Sequence, residues 1–368
     1  MRIARLEAIA ISIPLRAAVS DAVRRITHRD HLIVRLATDD GLEGYGFTLG
    51  YDSSVAMVSL VNCILRPLVE GADAFDAERL WAQMFRQSIQ AGRRGAALRA
   101  ISAIDIALWD LRGKAANMPV MHLLGVNSTR LRCYATGGYY RDGESVEDLV
   151  REMCGYASQG FTAVKMKVGR ASAREDAGRL CAVRRALGDG IDILLDANGG
   201  WADAPSAVAA LRRLEEHNPY WIEEPVRADN VSTMSRIAAA IDTPVATGEL
   251  EATRWAFADL VERRAADILQ PDATVCGGVT EWLKIAHMAA ALDIPIAPHY
   301  NWDIHTQLNA SIPNALFIEY FVRGSDVKVF DEVLENPIYP RDGFIEPRTG
   351  PGFGLVFSPA QLDKYRIG

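Results

Sequence analysis

From residue 131 the chain settles into a repeating rhythm, and the ends of its repeats carry chemistry. Short apolar runs at 131–136 (LRCYAT), 162–168 (TAVKMKV), 191–196 (IDILLD), 220–223 (YWIE), 244–247 (PVAT), 267–270 (DILQ), 294–298 (IPIAP) and 316–320 (LFIEY) read as strands. Helical stretches such as 203–216 and 278–292 separate most of them. The runs are apolar almost throughout, as expected of strands covered on both faces. Lys165 and Lys167 close the second run, Asp196 the third, Glu223 the fourth and Glu319 the eighth. Glu249, Asp272 and His299 follow the fifth, sixth and seventh. An open doubly wound sheet shows the same alternation but spreads its strand ends along a line. A closed barrel gathers them at one mouth, where barrel active sites are built. The pattern therefore predicts an α/β chain with a TIM-type barrel over residues 126–320.

The first 125 residues read differently. Strands are expected at 3–13 and 31–37, with a turn at Asp39-Asp40-Gly41. The stretch from Arg16 to Asp30 is polar and holds Arg24, Arg25, His28 and Arg29, so it is expected to be an exposed loop. A second, smaller loop is expected from Gly46 to Asp52. From about 53 to 116 the pattern is helical: Ala97, Ile101, Ile104, Ala107, Leu108 and Leu111 recur at three- and four-residue steps. Strands followed by helices make a small α+β unit.

Composition removes other classes. Forty Lys and Arg against 47 Asp and Glu give a net charge of −7, so no positive field exists to hold a nucleic acid. No apolar stretch approaches the roughly 20 residues of a membrane span. Glu7 interrupts the place where a signal peptide needs its apolar run. Five scattered cysteines contain no C-x-x-C pair, which argues against a disulfide framework and a cysteine metal site. A soluble cytoplasmic protein with inert thiols is the expectation.

The side chains at the mouth fit one another. Asp196-Ala-Asn198-Gly199 alone would be a turn, and Glu223-Glu224-Pro225 alone an acidic helix start. Their recurrence at one end of successive strands is harder to explain that way. Asp196, Glu223 and Glu249 would place three carboxylates around one point, where they repel unless a cation joins them. All-oxygen ligands favour a hard ion, and three of them leave octahedral positions for water and substrate, which suits Mg²⁺. Lys165 and Lys167, two apart on a strand, point the same way. Two ammonium groups beside a dication are expected to lower each other's pKa and give a lysine base near neutral pH. His299 faces them across the mouth, and Asp272 can fix its tautomer. A base on each side of a substrate, with a metal beside it, suits removal of a proton α to a carboxylate.

These residues resemble the enolase superfamily, and within it the mandelate racemase subgroup. The resemblance rests on Val164-Lys165-Met166-Lys167, Asp196-Ala-Asn198, Trp221-Ile222-Glu223-Glu224-Pro225, Gly248-Glu249, Pro271-Asp272, Pro298-His299 and Ile318-Glu319, in that order along nearly the whole chain. It implies a modified (β/α)₇β barrel over 126–320. Residues 1–125 would form an α+β capping domain, completed by 321–368. It further implies one Mg²⁺ per subunit on Asp196, Glu223 and Glu249, with Lys167 as base and Lys165 neutralising the substrate carboxylate. His299 with Asp272 would be the acid/base dyad, Glu319 would hydrogen-bond the enediolate, and Asn198 would touch the α-hydroxyl. A homo-oligomer, dimer or octamer, is implied too.

Once the enediolate forms, two fates are natural. Protonation of a β-hydroxyl by His299 expels water and gives a 2-keto-3-deoxy acid after tautomerisation. Return of a proton to the α-carbon gives the epimer. Acid-sugar dehydratases are common in this subgroup, so dehydration of an aldonate or aldarate is the expected reaction. A racemase or epimerase of a 2-hydroxy acid is the alternative. A non-catalytic binding protein would have been signalled by a missing ligand or base. The lactonising branch would place a lysine where this chain has Asp272. Arg24 and Arg25 are expected to reach over the mouth and bind substrate, since arginine suits a distal carboxylate or several hydroxyls.

Overall fold

The computed structural model of the chain describes every residue except 326, which lies in the C-terminal segment. The cap is built on three antiparallel strands, β1 (Ile3–Ser20), β2 (Arg25–Thr38) and β3 (Glu43–Leu49). The β1–β2 arms run far past the expected strands. Pairing continues, through an irregularity between Pro14 and Val19, to Ser20 opposite Arg25. The expected loop at 16–30 is thus mostly hairpin, and only residues 21–24 turn. Asp21 makes that turn by accepting from the backbone N–H groups of Val23 and Arg24 at 2.9 and 2.7 Å. The polar character that suggested a solvated loop has another cause: Asp21, Arg29 and Asp30 are buried.

The expected loop at 46–52 is likewise strand as far as Leu49. Gly44 and Gly46 let β3 lie directly on the helix Ala96–Ala115. A Cβ at either would sit 2.4 Å from the Ala107 carbonyl oxygen or 2.0 Å from that of Ala103. That helix is buried along nearly its whole length and ties cap to barrel. Asp105 accepts from the backbone N–H and hydroxyl of Thr280, at 2.9 and 2.6 Å.

The barrel strands are β4 (Leu131–Thr136), β5 (Ala163–Lys167), β6 (Asp192–Asp196), β7 (Trp221–Glu223), β8 (Val245–Thr247), β9 (Ile268–Leu269) and β10 (Ile318–Phe321). They form a parallel sheet in the order β10-β4-β5-β6-β7-β8-β9. Closure comes from Ile296, which bridges to Leu269 on one side and to Ala315, just before β10, on the other. The expected strand at 294–298 shrinks to this bridge because Pro295 and Pro298 flank it and have no N–H to give.

The C-terminal segment returns twice to earlier structure. β11 (Phe344–Ile345) pairs antiparallel with β4, and β12 (Arg366–Ile367) pairs with β1 in the cap. Inside the barrel, Tyr134, Trp221 and Phe317 meet edge to face at 5.4–5.8 Å between ring centres. With Ala163, Leu194, Ala246, Ile268 and Ala297 they form a buried apolar floor beneath the mouth. Among the described residues no helix is long and apolar enough to cross a membrane.

Candidate active site

Strand alternation builds the site one step above that floor. Two residues beyond Tyr134, Ala163, Leu194, Trp221 and Phe317 stand Thr136, Lys165, Asp196, Glu223 and Glu319, all buried. Lys167 lies one further step up β5. Glu249 follows β8 through Gly248, whose φ of 125° and contact with the Phe257 ring leave no room for a Cβ. One carboxylate oxygen each from Asp196, Glu223 and Glu249 falls within 4.8 Å of the others. Glu223 Oε1 is buried with no hydrogen-bond partner. Three converging buried carboxylates with an unsatisfied oxygen fit a hard divalent cation.

The two lysines meet this triad from below and beside. Lys165 Nζ lies 2.8 Å from Glu223 Oε2, 2.8 Å from Glu319 Oε1 and 3.6 Å from Asp196 Oδ2. Lys167 Nζ donates to Asp196 Oδ2. The expected lowering of the lysine pKa values counts a bound dication, and the ion-free arrangement holds the lysines charged instead. Burial and mutual repulsion push the ammonium groups down, but Glu223, Glu319 and Asp196 outweigh them, and both are held above the ordinary lysine range. The carboxylates that would serve a metal are here serving the lysines. Burial, together with Asp196, conversely pushes Glu223 up to about 8.

Opposite stands the histidine. His299 Nδ1 is 3.1 Å from Asp272 Oδ2, and Nε2 is 3.5 Å from Glu249 Oε2. Asp272 also accepts from Thr274 N at 2.7 Å and Asn301 Nδ2 at 3.1 Å, which fixes its orientation. Burial disfavours the imidazolium, but Glu249 and the Asp272 hydrogen bond prevail and raise the group to about 10. Glu319 accepts from Thr136 Oγ1 and from Tyr300 N, each at 2.8 Å. Although burial opposes its ionisation, Lys165 and His299 hold it below the usual carboxylate range.

Asn198 lines the same cavity, with φ 44°, its N–H donating to Asp196 Oδ1 at 2.9 Å and its Oδ1 buried without a partner. Of the two cap arginines expected there, Arg24 lines the cavity and Arg25 does not. Arg25 is 64% exposed and lies 3.4 Å from Asp142. The cavity measures about 20 Å³, room for about one water, and opens toward solvent. Sequence reasoning did not assign Arg29, Tyr51, Tyr139 and Tyr300, which also line it. It also missed Glu224, which is buried with Oε1 unpartnered, close enough for Glu249 and Asp196 to raise its pKa. Strand alternation turns Glu224 away from the mouth. Its φ of 40° brings it back, and no local sequence signal predicts that.

Comparison with known proteins agrees with this architecture. The family described as "Enolase C-terminal domain-like" matches residues 146–361, and the "Mandelate racemase / muconate lactonizing enzyme, N-terminal domain" matches residues 6–125. The chain is 34% identical to an arabinonate dehydratase of Saccharolobus solfataricus, over 90% of this chain and 89% of that one. It is 33% identical to an L-talarate/galactarate dehydratase of Salmonella typhimurium, over 95% and 89%. Sugar-acid cycloisomerases are also among its relatives. The crystal structure of L-talarate dehydratase from Polaromonas sp. JS666, complexed with Mg and L-glucarate, superposes with a TM-score of 0.91 at 32% identity, covering 100% of this chain and 98% of that one. By fold and sequence together, the chain belongs to the mandelate racemase subgroup of the enolase superfamily.

Proposed function

We propose that this chain is a magnesium-dependent dehydratase that converts a sugar acid into a 2-keto-3-deoxy acid. The observation that carries the reading is the pairing of Lys167 with the His299–Asp272 dyad around one cavity that also contains carboxylates from the acidic triad. Relatives named as dehydratases of arabinonate and talarate/galactarate support it. Asp196, Glu223 and Glu249 would hold the ion. Bound there, Mg²⁺ offsets the triad's charge and stabilises negative charge on the substrate carboxylate.

The chain's own residues do the rest. Lys165, between Glu223 and Glu319, presents an ammonium to the substrate carboxylate. Lys167, on β5, accepts the α-proton once Asp196 no longer holds its charge. His299, kept as imidazolium by Asp272, gives its Nε2 proton to the β-hydroxyl. The Cα–H pair becomes the new double bond, the Cβ–O bond breaks, and water leaves. The resulting enol takes up a proton to become the 2-keto acid. Asn198, with its unpartnered amide oxygen, would accept from the α-hydroxyl.

A library of sugar mono- and diacids, assayed with Mg²⁺ for 2-keto acid, tests this. A keto product from any aldonate or aldarate is the expected result. Inversion at the α-carbon without keto product would instead identify an epimerase. A non-catalytic binding protein would yield neither. Within such an assay, Arg24→Ala should raise KM about 10- to 100-fold, the effect of losing one charge-assisted contact. Arg25→Ala should stay within about twofold, because exposed pairs contribute little. Equal KM values in the two variants would remove Arg24 from the substrate contacts.

A further inference from the structure

The two arginines that line the cavity differ: among the described residues Arg24 has a carboxylate partner and Arg29 has none. Arg24 donates from Nε and Nη2 to Asp21 Oδ2 at 3.1 and 3.0 Å. Arg29, on β2, is only 6% exposed. Among the described residues its guanidinium makes one hydrogen bond, from Nε to the Val327 carbonyl oxygen at 3.0 Å. Among the described residues no carboxylate forms an ion pair with it. The neighbouring Asp30 is committed elsewhere, accepting from the backbone N–H groups of Asp52 and Ser54 at 2.8 and 3.0 Å.

A buried guanidinium carries five N–H donors and a full charge, and leaving that charge unpaired is expensive. The Tyr300 ring lies 5.5 Å from the Arg29 guanidinium, and the Tyr300 hydroxyl is itself buried without a partner. Cation and hydroxyl both line the cavity that contains Lys165 and Lys167. The barrel side of that cavity already supplies a site for one carboxylate, at the triad and Lys165. The cap side supplies unused donors and an unused positive charge. Sugar hydroxyls can accept from those donors, but only an anion neutralises the charge.

We infer that Arg29, assisted by the Tyr300 hydroxyl, anchors a second carboxylate at the far end of the substrate, so that this enzyme selects dianionic sugar acids over their monoacid counterparts. This rests on the dehydratase reading for the reaction, though not for the binding. Arg29 and Tyr300 are here specificity-determining residues.

The test compares matched pairs, galactarate with galactonate and glucarate with gluconate, on the full chain with Mg²⁺. Binding is followed by calorimetry and turnover by 2-keto acid formation. The wild-type protein should bind at least one diacid about 10- to 100-fold more tightly than its monoacid, the span of a charge-assisted pair. In Arg29→Met that ratio should collapse toward one, and Arg29→Lys should restore part of it. Tyr300→Phe should lower it severalfold. A wild-type ratio of one or below, or a ratio unchanged in a folded Arg29→Met, overturns the inference. Should Arg29→Met fail to fold, the wild-type ratio and Tyr300→Phe decide it. Tight diacid binding through Arg29 without keto product would defeat the dehydratase reading and leave this one standing. Keto acid formed from monoacids alone would do the reverse.

Discussion

Lys167→Ala will lose exchange of the substrate α-proton with D₂O, and its dehydration rate will fall by at least about 10³-fold, within the range supplied by a positioned base. Lys165, its neighbour on β5, cannot take its place. Lys165 is buried between Glu223 and Glu319, at 2.8 Å from each, and is committed to them. His299→Asn should lose dehydration to a similar degree, because asparagine cannot deliver a proton to the departing hydroxyl. That variant should still exchange the α-proton through Lys167. The pair of results separates the two steps, exchange being read by proton NMR and elimination by keto acid formation. The ion-free arrangement adds a condition. Asp196 holds Lys167 charged, so metal-free enzyme should show no exchange either. Normal turnover in both variants would end the two-base reading.

The barrel and its mouth were legible because barrel strands impose a period on chemistry. Side chains that share one end must recur at one β/α unit, and Asp196, Glu223 and Glu249 do. Several of the residues that were not legible are placed by the cap. Hydropathy treats Arg29 and Asp30 as solvent-facing, yet both are buried. The polarity of Arg29 answers to the cavity, and that of Asp30 to backbone donors at residues 52 and 54, in the turn and first helical residue beyond β3. A local reading of residues 16–30 has no access to those partners. Arg24 and Arg25 show the same limit at single-residue scale. Arg24 closes the turn made by Asp21 while Arg25 opens β2, and only the structure fixes which of the two reaches the cavity.

Charge was legible in kind but not in balance. The lysine pair was expected to depress its own pKa values, an argument that counted ammonium groups and a dication. Without the ion, the carboxylates those ammonium groups touch outweigh the repulsion and hold both lysines charged, so the expected lowering applies only to the loaded site. Glu224 enlarges that excess of negative charge through a backbone conformation that the strand pattern forbids.

That excess leads to the second large effect. Chelation should abolish turnover, and Mg²⁺ should restore it. Asp196→Asn, Glu223→Gln and Glu249→Gln should each weaken Mg²⁺ binding by more than the roughly 10–100-fold that loss of a supporting residue around a metal typically causes. Each removes both a ligand and a charge that offsets the dication. Stability provides an independent reading. Asp196, Glu223 and Glu249 converge in the barrel mouth with one buried oxygen unsatisfied, so an ion that binds there favours the folded chain by mass action. At a hundredfold excess over Kd the gain is about 2.7 kcal/mol, visible as a rise in Tm. Glu223→Gln should keep its fold, because Lys165 retains Glu319 as partner. It should nevertheless lose the Mg²⁺-dependent rise at concentrations that saturate the wild type. Full turnover without metal, or an undiminished rise in Glu223→Gln, would mean that the triad is not where the ion sits.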